Sequence, residues 1–493
     1  MNHLQDRLQV LAQLPGRPAI GYRGEWLDWG DFGGFIARIE RILDELGQPK
    51  GAAIGCVLRN SPAHAGAVLA VLGSGRCLVT FNGHLPDGAL SDDLREQKPA
   101  VILATAQDWE RPELRQAAAA IGAAGLCLGE PAQPRATVMA DLPLNTAVAP
   151  GTTLDGIAIL MLTSGTTGKP KRVPLKRSSL ERQVIGSVSG ASEERDEIGI
   201  VTGSMVHIGG IWGLLGPIML GRPICLLDKF TVEEWRQLIA RHRPRSASVP
   251  APALRMILDA DVAPEDLSSL ESLSAGAAAV SADTVEAFLQ RYDLPVLSNY
   301  GATEFAGAVA SWSMRTFRKY WAQKRGAVGR VHKDVEARIV DPETGDVLPA
   351  GREGLLELRG AALGGEVWTR TTDRAILDED HFLWIVGRAD NAIVRGGFKV
   401  HPDEVVRVLQ SHPAVLEASV VGIPHERLGA VPAAALIVRE GHPTPGADEL
   451  GAWVRARMTA YSVPVEFRIL DDLPRTPSMK ISMPAVKALF LGS

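Results

Sequence analysis

Apolar residues recur along the chain with two spacings, one helical and one extended. Between Asp31 and Leu46 they return every three or four residues with charged residues between them, which predicts an amphipathic helix lying on a core. A helix rich in alanine is predicted at Ala63–Leu72. Short uninterrupted apolar runs predict buried strands at Ala52–Leu58, Cys77–Thr80, Val101–Ala104 and Ala124–Leu128. Strands alternating with helices predict α/β layers around a largely parallel sheet.

The alternation continues through the middle of the chain and then changes character. A connector rich in proline is expected at Pro131–Pro150, and further strands at Ile198–Val201, Ile224–Leu227, Ser246–Val249 and Ser272–Ser274. From Gly329, short β-runs separated by turns predict a β subdomain at about residues 329–389. Two later strands and a helix predict a small α+β domain. The expected fold class is therefore α/β, with a large N-terminal domain of layered sheets, a β subdomain and a small C-terminal α+β domain.

Length, composition and charge limit the possible functions. The 493 residues, 46% of them hydrophobic, are enough for several domains. A net charge of −5 and a pI near 6.2 argue against a nucleic-acid partner, which usually requires a basic face. The sequence has no signal-peptide pattern and no membrane-span pattern, and its four cysteines lack metal-ligand spacing. A cytoplasmic protein is expected.

The segment Thr163–Lys171 has the composition of a loop that wraps a polyphosphate. Glycines let backbone N–H groups approach an anion, hydroxyl groups add donors, and lysines add positive charge. The apolar run Ile157–Leu162 precedes it and a strand candidate begins at Val173, so a hairpin loop is expected. It is not a Walker P-loop, because only two residues separate its glycines and Pro170 follows the first lysine. By composition alone, a solvated glycine-threonine turn is an equal alternative.

A second motif, Asn299–Glu304, places an aromatic residue beside a glycine. The ring of Tyr300 offers a flat surface for a purine. Thr303 and Glu304 offer a hydroxyl and a carboxylate for a metal ion that bridges phosphates. Taken alone, the segment favours an ordinary turn followed by polar residues, because such turns are common.

Two further segments carry side chains that could bind the ribose of a nucleoside and could offset negative charge in a reaction. Asp373 can accept both hydroxyls of a ribose and Arg388 can donate to the same sugar or to a phosphate; the alternative is an exposed ion pair. Lys480 lies in a loop stiffened by Pro474 and Pro477. Its ammonium can offset charge on a carboxylate and an α-phosphate, the alternative being an ordinary solvated lysine.

Taken in order, these motifs resemble those of the adenylate-forming superfamily, which includes acyl-CoA synthetases, luciferases and nonribosomal adenylation domains. The resemblance extends from about residue 20 to residue 486. It implies an acid–thiol ligase in which a carboxylate attacks the α-phosphate of Mg·ATP, giving acyl-AMP, and coenzyme A then accepts the acyl group. It also implies a nucleotide- and acyl-binding domain at 1–389 and a mobile lid at 390–493, with a hinge at Asp390.

The resemblance assigns a role to each matching residue. Lys480, Glu304 and His207 are assigned to catalysis, with a core histidine as the alternative for His207, and Thr166 and Glu304 are assigned to Mg²⁺. Coenzyme A is assigned to Gly396, Gly397, Phe398 and Lys399. ATP is assigned to Thr163, Ser164, Gly165, Thr166, Thr167, Gly168, Lys169, Lys171, Gly276, Ala277, Asn299, Tyr300, Gly301, Ala302, Thr303, Asp373 and Arg388.

Thr372 and Met479 depart from the family pattern, which usually has glycine at both positions. The first departure alters the turn before Asp373, and the second restricts a loop that needs unusual backbone angles. One alternative is therefore a half-active protein competent only in thioester formation from acyl-AMP. Another is a ligase that loads a separate acyl carrier protein. A homodimer is also left open.

The acid substrate is limited by the residues expected to line its pocket. Gly203–Gly213, Ala275–Val280 and Phe305–Trp312 are mostly small or apolar. Such a lining favours a roomy hydrophobic site. The sequence therefore predicts an aromatic, medium-chain or polycyclic carboxylic acid rather than acetate.

Overall fold

The chain divides by its internal contacts into two units. The computed structural model describes residues 3–129, 135–147, 152–163, 171–188, 197–276, 278–360, 363, 365–395, 398–426, 428–476 and 479–491. The first unit contains Met1–Ser164, Pro170–Gln323 and Ala361–Gly365, and the second contains Lys324–Gly360 and Glu366–Ser493. The β-rich segment thus shares a unit with the C-terminal residues, and the domain boundary at residue 390 stays a prediction.

The helices of the first unit follow the predicted alternation. The helix predicted at 31–46 begins slightly earlier: the Asp28 carboxylate caps it by accepting from the Asp31 N–H at 2.9 Å, and Phe32 and Ile39 on its apolar face are buried. The helices are α1 His3–Ala12, α2 Trp29–Glu45, α3 Pro62–Gly73, α4 Asp87–Gln97, α5 Ala106–Trp109, α6 Pro112–Ala120, α7 Arg177–Val188, α8 Ile208–Met219, α9 Val232–His242, α10 Ala251–Asp259, α11 Pro264–Leu267, α12 Ala282–Tyr292 and α13 Met314–Tyr320.

Three groups of strands form the sheets of the first unit. The strands are β1 Pro18–Tyr22, β2 Glu25–Asp28, β3 Ala53–Leu58, β4 Cys77–Asn82, β5 Val101–Thr105, β6 Ala124–Leu128, β7 Ala136–Val138, β8 Ile157–Thr163, β9 Lys171–Lys176, β10 Gly199–Val201, β11 Ile224–Leu226, β12 Ser246–Pro250, β13 Ser272–Gly276, β14 Val296–Ala302 and β15 Gly307–Ser311. The largest sheet has the order β7-β6-β5-β3-β4-β8-β9. Its central pairs are parallel and its two edge pairs are antiparallel, which confirms the largely parallel sheet.

The two smaller groups combine parallel and antiparallel pairs. One has the order β10-β11-β1-β2, and in the other β12, β13 and β14 run parallel while β15 returns antiparallel to β14. Every residue of α3 is buried, which explains why its sequence shows no polar face. No helix in the described ranges has both the length and the apolar character needed to cross a membrane.

The second unit contains most of the residues predicted to form a β subdomain and all of those predicted to form the C-terminal domain. Its strands are β16 Gly329–Val331, β17 Val335–Val340, β18 Glu353–Gly360, β19 Gly365–Leu377, β20 Phe382–Arg388, β21 Ile393–Arg395, β22 Phe398–Val400, β23 Val415–His425, β24 Gly429–Val438 and β25 Phe467–Ile469. Its helices are α14 Pro402–Gln410, α15 Ala447–Arg455 and α16 Met483–Leu491. Strands β16-β20-β19-β18-β17 are neighbours in one group, and β22-β21-β24-β23, with β25 beside β24, form the other. Val405 and Leu409 on α14 are buried in the core of the second group.

Candidate active site

The predicted phosphate loop connects two antiparallel strands. Thr163, the last residue of β8, pairs with Lys171, the first residue of β9, so the expected hairpin is confirmed. Six residues with predicted phosphate roles lie outside the described residues, namely Ser164, Gly165, Thr166, Thr167, Gly168 and Lys169. The strand β9 begins two residues before the predicted Val173 and packs against the short 3-10 turn Thr303–Phe305.

The aromatic motif lies where β14 meets β15. Tyr300 is half-buried on β14, and its ring lies 6.5 Å from the buried ring of Phe305. Gly301 is required by the close approach of the next strand, because a Cβ at this position would lie 2.2 Å from the carbonyl oxygen of Gly307. Glu304 is exposed on the 3-10 turn. The structure therefore places the Glu304 turn beside the strand that follows the candidate phosphate loop.

The glycine turn at the end of β13 is adjacent to the same motif. Strands β13 and β14 are parallel, with Ala275 opposite Ser298. The Asn299 side chain donates through Nδ2 to the Ala275 carbonyl at 3.2 Å, and a Cβ at Gly276 would lie 2.4 Å from Asn299 Oδ1. Ala277 lies outside the described residues. The two motifs predicted to surround the adenine are thus neighbours in the structure.

His207 lies at the start of α8, near the predicted acyl-pocket segments. It is half-buried and occupies the N-cap position, with its carbonyl accepting from Ile211 N–H at 3.2 Å. From the same helix, Trp212 donates through its indole N–H to the carbonyl of Ala306 at 3.0 Å. This bond joins two of the predicted lining segments, and Ala306 and Val309 are buried there.

Arg388, one of the two residues predicted to bind the ribose, belongs to a hydrogen-bonded cluster in the second unit. Asp373 on β19 is directly opposite Arg388 on β20. The Arg388 guanidinium donates to both carboxylate oxygens of Asp390, at 2.9 and 2.8 Å. It also donates to the hydroxyl of Thr372, the residue that departs from the family pattern. Asp390, the hinge candidate, and Arg388, a ribose-binding candidate, are therefore joined by hydrogen bonds.

Sequence reasoning missed the contribution of α14 to this cluster. The Asp403 carboxylate accepts from the backbone N–H of Arg388 at 3.0 Å, and Glu404 accepts from Arg374 at 2.9 Å. Burial lowers the pKa of His401, the N-cap residue of this helix, and the nearby Arg374 guanidinium lowers it further. The only signal in the sequence was two acidic residues in a first helical turn, which indicates helix capping rather than a long-range contact.

The structure describes two of the four residues that are expected to bind coenzyme A. Gly396 and Gly397 lie outside the described residues. Phe398 begins β22, is 57% exposed, and stacks on Tyr461 with ring centroids 4.7 Å apart and planes inclined by 13°. Lys399 follows on the same strand. An exposed aromatic ring such as that of Phe398 offers an apolar surface to a partner molecule.

Lys480 closes a tight turn near the C-terminus. The Thr476 N–H donates to the Lys480 carbonyl at 2.7 Å, and the Met479 N–H donates to the Thr476 carbonyl at 2.8 Å. Arg475 anchors the base of the turn through an ion pair with Glu417 on β23, at 2.5 Å. Lys480 itself is exposed. The predicted catalytic lysine is thus presented by a turn whose base is tied to a sheet.

The residue before Lys480 adopts a backbone conformation that favours glycine. Met479 has a φ of 62°, in the left-handed region. The positive φ explains why glycine, which has no Cβ, fits this position in the family pattern. Methionine adopts the same conformation here at a cost in strain. The turn is therefore formed in this chain despite the substitution.

Replacing Met479 with glycine is expected to raise the rate of acyl-AMP formation by up to about fivefold. Glycine removes backbone strain of about 1 kcal/mol from the turn that presents Lys480. The measurement is pyrophosphate release under single-turnover conditions. Met479→Ala is the matched control, since it shortens the side chain but keeps the Cβ that causes the strain. Equal gains in the two variants would show that the side chain, and not the backbone angle, limits the turn.

Comparison with known proteins identifies the family. AMP-binding enzymes match residues 8–368, and the C-terminal domain of AMP-binding enzymes matches residues 404–480. Feruloyl-CoA synthase from an Amycolatopsis species is 28% identical over 492 residues, covering 97% of this chain and 96% of that protein. The 4-coumarate–CoA ligase-like 9 of Arabidopsis thaliana is 30% identical over 344 residues, 66% of this chain; the match spans 60% of that relative's length. The 2-succinylbenzoate–CoA ligase of Bacillus cereus is 26% identical, with 96% of each chain covered.

Solved structures share the fold over the whole chain. ATP-bound MatB from Rhodopseudomonas palustris has a TM-score of 0.84 at 22% identity, covering 100% of this chain and 99% of that one. The o-succinylbenzoate CoA synthetase of Bacillus subtilis, in complex with its acyl-adenylate, has a TM-score of 0.76 at 24% identity, covering 99% and 98%. These likenesses bear on the fold alone.

The two family matches and the fold together define an adenylate-forming enzyme. The chain belongs to the AMP-binding enzyme family. The predicted superfamily and the predicted α/β fold class are confirmed. The predicted reaction class, an acid–thiol ligase, agrees with the CoA ligases and synthetases among the relatives. The roles of individual residues stay predictions.

Proposed function

We propose that this protein joins a carboxylic acid to coenzyme A in two steps, with acyl-AMP as the intermediate. The observation that carries the proposal is the contact between β9, which leaves the candidate phosphate loop, and the turn that bears Glu304. The family match supports nucleotide chemistry, and the relatives named as CoA ligases and synthetases support the thiol acceptor.

In the first step, an oxygen of the acid carboxylate attacks the α-phosphorus of ATP. The bond from that phosphorus to the bridging oxygen breaks, and pyrophosphate leaves. The loop Thr163–Lys171 would bind the departing phosphates through backbone N–H groups, hydroxyls and lysines. Tyr300 would stack on the adenine.

The residues present fit a magnesium ion that accompanies the nucleotide. Glu304 supplies an exposed carboxylate and Thr166 a hydroxyl, both of which are oxygen ligands that Mg²⁺ accepts. When bound, the ion would neutralise phosphate charge and favour departure of pyrophosphate. The exposed position of Glu304 leaves its carboxylate accessible to an ion brought in by ATP.

Three further residues would supply the ribose contacts and the positive charge beside the reacting groups. Asp373 would accept the ribose hydroxyls, and Arg388 would donate to the same sugar. The Lys480 ammonium would offset the negative charge of the attacking carboxylate and of the α-phosphate. These roles rest on the match to the family motifs and on the placement of Asp373 opposite Arg388.

In the second step, the sulfur of coenzyme A attacks the acyl carbon, the carbon–oxygen bond to AMP breaks, and AMP leaves. The thiol proton passes to water as the sulfur attacks, and the electron pair of the broken carbon–oxygen bond leaves with AMP. Gly396–Lys399 would guide the thiol arm, and rotation of the lid 390–493 about Asp390 would exchange Lys480 for this segment. The exposed ring of Phe398, which stacks on the partly buried Tyr461, supports a binding role for this surface.

We propose an aromatic carboxylic acid as the substrate. The residues of the predicted lining segments are mostly small or apolar. Relatives are named for ferulate, coumarate and succinylbenzoate, which are aromatic acids. We expect kcat/KM for a hydroxycinnamate or an aryl keto acid to exceed that for acetate by about 100-fold or more, since burying a ring contributes about 3 kcal/mol.

The test is pyrophosphate release measured across a panel of acids with ATP alone, and thioester formation measured after addition of coenzyme A. Hydroxycinnamic, benzoic, succinylbenzoic, octanoic and acetic acids cover the relevant sizes. Activity confined to very short acids would contradict the aromatic substrate. Pyrophosphate release without any thioester product would contradict coenzyme A as the acceptor.

A further inference from the structure

The hydroxyl of Thr372 is bonded to the side chain proposed to bind the ribose. Thr372 and Arg388 lie on the paired strands β19 and β20, and Arg388 Nη2 donates to Thr372 Oγ1. The backbone contributes as well, because the Ala389 N–H donates to the Thr372 carbonyl at 2.8 Å. The residue that replaces the family glycine is therefore part of the Arg388 environment.

An arginine at this position needs such support. The Arg388 side chain is 37% exposed, so packing alone does not fix its guanidinium. A freely rotating arginine loses considerable conformational entropy when it binds a ligand, and donors fixed beforehand lose less. The Arg388 guanidinium is oriented before a nucleotide binds, because it donates to the Thr372 hydroxyl and to the Asp390 carboxylate.

The Thr372 hydroxyl and the Asp390 carboxylate would respond differently to rotation about the proposed hinge. Asp390 is the residue proposed to change its backbone angles, so its carboxylate cannot hold Arg388 in one place through that change. Thr372 lies on β19, which pairs directly with the strand that ends at Arg388. Its hydroxyl would therefore stay with the guanidinium during a movement of the Asp390 carboxylate.

We propose that Thr372 is a positioning residue, whose hydroxyl holds Arg388 in the direction that binds the ribose of ATP and of acyl-AMP. A glycine at this position would remove the hydroxyl that accepts from the guanidinium. The proposal rests on the proposed function of Arg388. It makes the departure from the family pattern a functional substitution in this chain.

The test compares Thr372→Val, which keeps the shape and removes the hydroxyl, with Thr372→Ser, which keeps the hydroxyl. We expect Thr372→Val to raise the KM for ATP about three- to tenfold while kcat changes less than about twofold, and Thr372→Ser to restore most of the wild-type KM. Thr369→Val, at another exposed threonine of β19, is the matched control for a general effect on the strand. Equal KM values for the wild type and Thr372→Val would overturn the proposal.

A double-mutant cycle separates this inference from the proposed function. Arg388→Gln is expected to raise the KM for ATP, and adding Thr372→Val to it should produce no further increase, since the hydroxyl then has no guanidinium to hold. If Arg388→Gln raises the KM but Thr372→Val acts equally in both backgrounds, the positioning role is wrong and the ribose role stands. If Arg388→Gln leaves the KM unchanged, the ribose role fails and the inference fails with it.

Discussion

Replacing Lys480 with alanine is expected to slow acyl-AMP formation about 100- to 1000-fold, while thioester formation from preformed acyl-AMP stays within about twofold of the wild-type rate. The ammonium offsets charge that accumulates when a carboxylate meets an α-phosphate, and no such encounter occurs in the second step. The turn closed by the Thr476 N–H and the Lys480 carbonyl fixes where this side chain starts. The measurements are pyrophosphate release from acid and ATP, and product formation from synthetic acyl-AMP and coenzyme A.

Two further variants make the Lys480 experiment specific. Lys487→Ala removes an exposed lysine from the nearby helix α16 and is expected to change neither rate. Lys480→Arg keeps the positive charge but changes its shape, and an intermediate loss is expected because the guanidinium places its charge differently. Adenylation at the wild-type rate in Lys480→Ala would remove this residue from the first step. Equal losses in both steps would indicate damage to the turn instead.

Much of the fold was predictable because local patterns and tertiary structure agree. The apolar run at 53–58 has every residue buried, so its strand was visible without knowledge of its neighbours. The shift to short strands after residue 329 similarly marked the β-rich group of the second unit. Strand β7, Ala136–Val138, was hidden within the predicted connector, because its three residues have two exposed side chains and depend on pairing with β6.

The start of β9 shows why tertiary contacts limit such predictions. Its first residues, Lys171 and Arg172, are basic, so the strand was predicted to begin only at Val173. Arg172 is nevertheless largely enclosed, since it donates to the Thr80 carbonyl at 2.6 Å and pairs with Asp93. A strand residue of this kind depends on partners about 80 to 90 positions away, and hydrophobic periodicity carries no information about them.

The candidate site was predictable as a set of motifs but not as a set of contacts. The order of the motifs indicated Asp373, Arg388 and Asp390, whereas the bonds among Arg388, Asp390 and Thr372 emerged only from the pairing of β19 with β20. Thr372 looked like a defect in sequence because its hydroxyl had no visible partner there. Met479 was different, since the family glycine already pointed to the positive φ that the structure contains.

The second large effect is expected from adding a single methyl group, in Gly301→Ala. The new Cβ would lie 2.2 Å from the Gly307 carbonyl oxygen and 2.7 Å from Ala308 Cα. Both are backbone atoms of the paired strand β15, so the clash cannot be relieved by rotating a side chain. Strands β14 and β15 must separate, which displaces Tyr300 and the turn bearing Glu304. We expect a loss of about 1–3 kcal/mol in the free energy of unfolding and at least tenfold weaker ATP binding.

The matched control is Gly88→Ala, in helix α4, where a Cβ would meet no atom within 4 Å. It is expected to raise the stability by up to about 1 kcal/mol, because alanine is the better helix former, and to leave ATP binding unchanged. Calorimetric titration with ATP and thermal unfolding monitored in parallel would separate the two consequences of Gly301→Ala. Loss of binding with retained stability would mean that the motif moves locally while the sheet persists. Wild-type affinity in Gly301→Ala would show that the close approach of β15 does not position the adenine site, and the role proposed for Tyr300 would lose its structural basis.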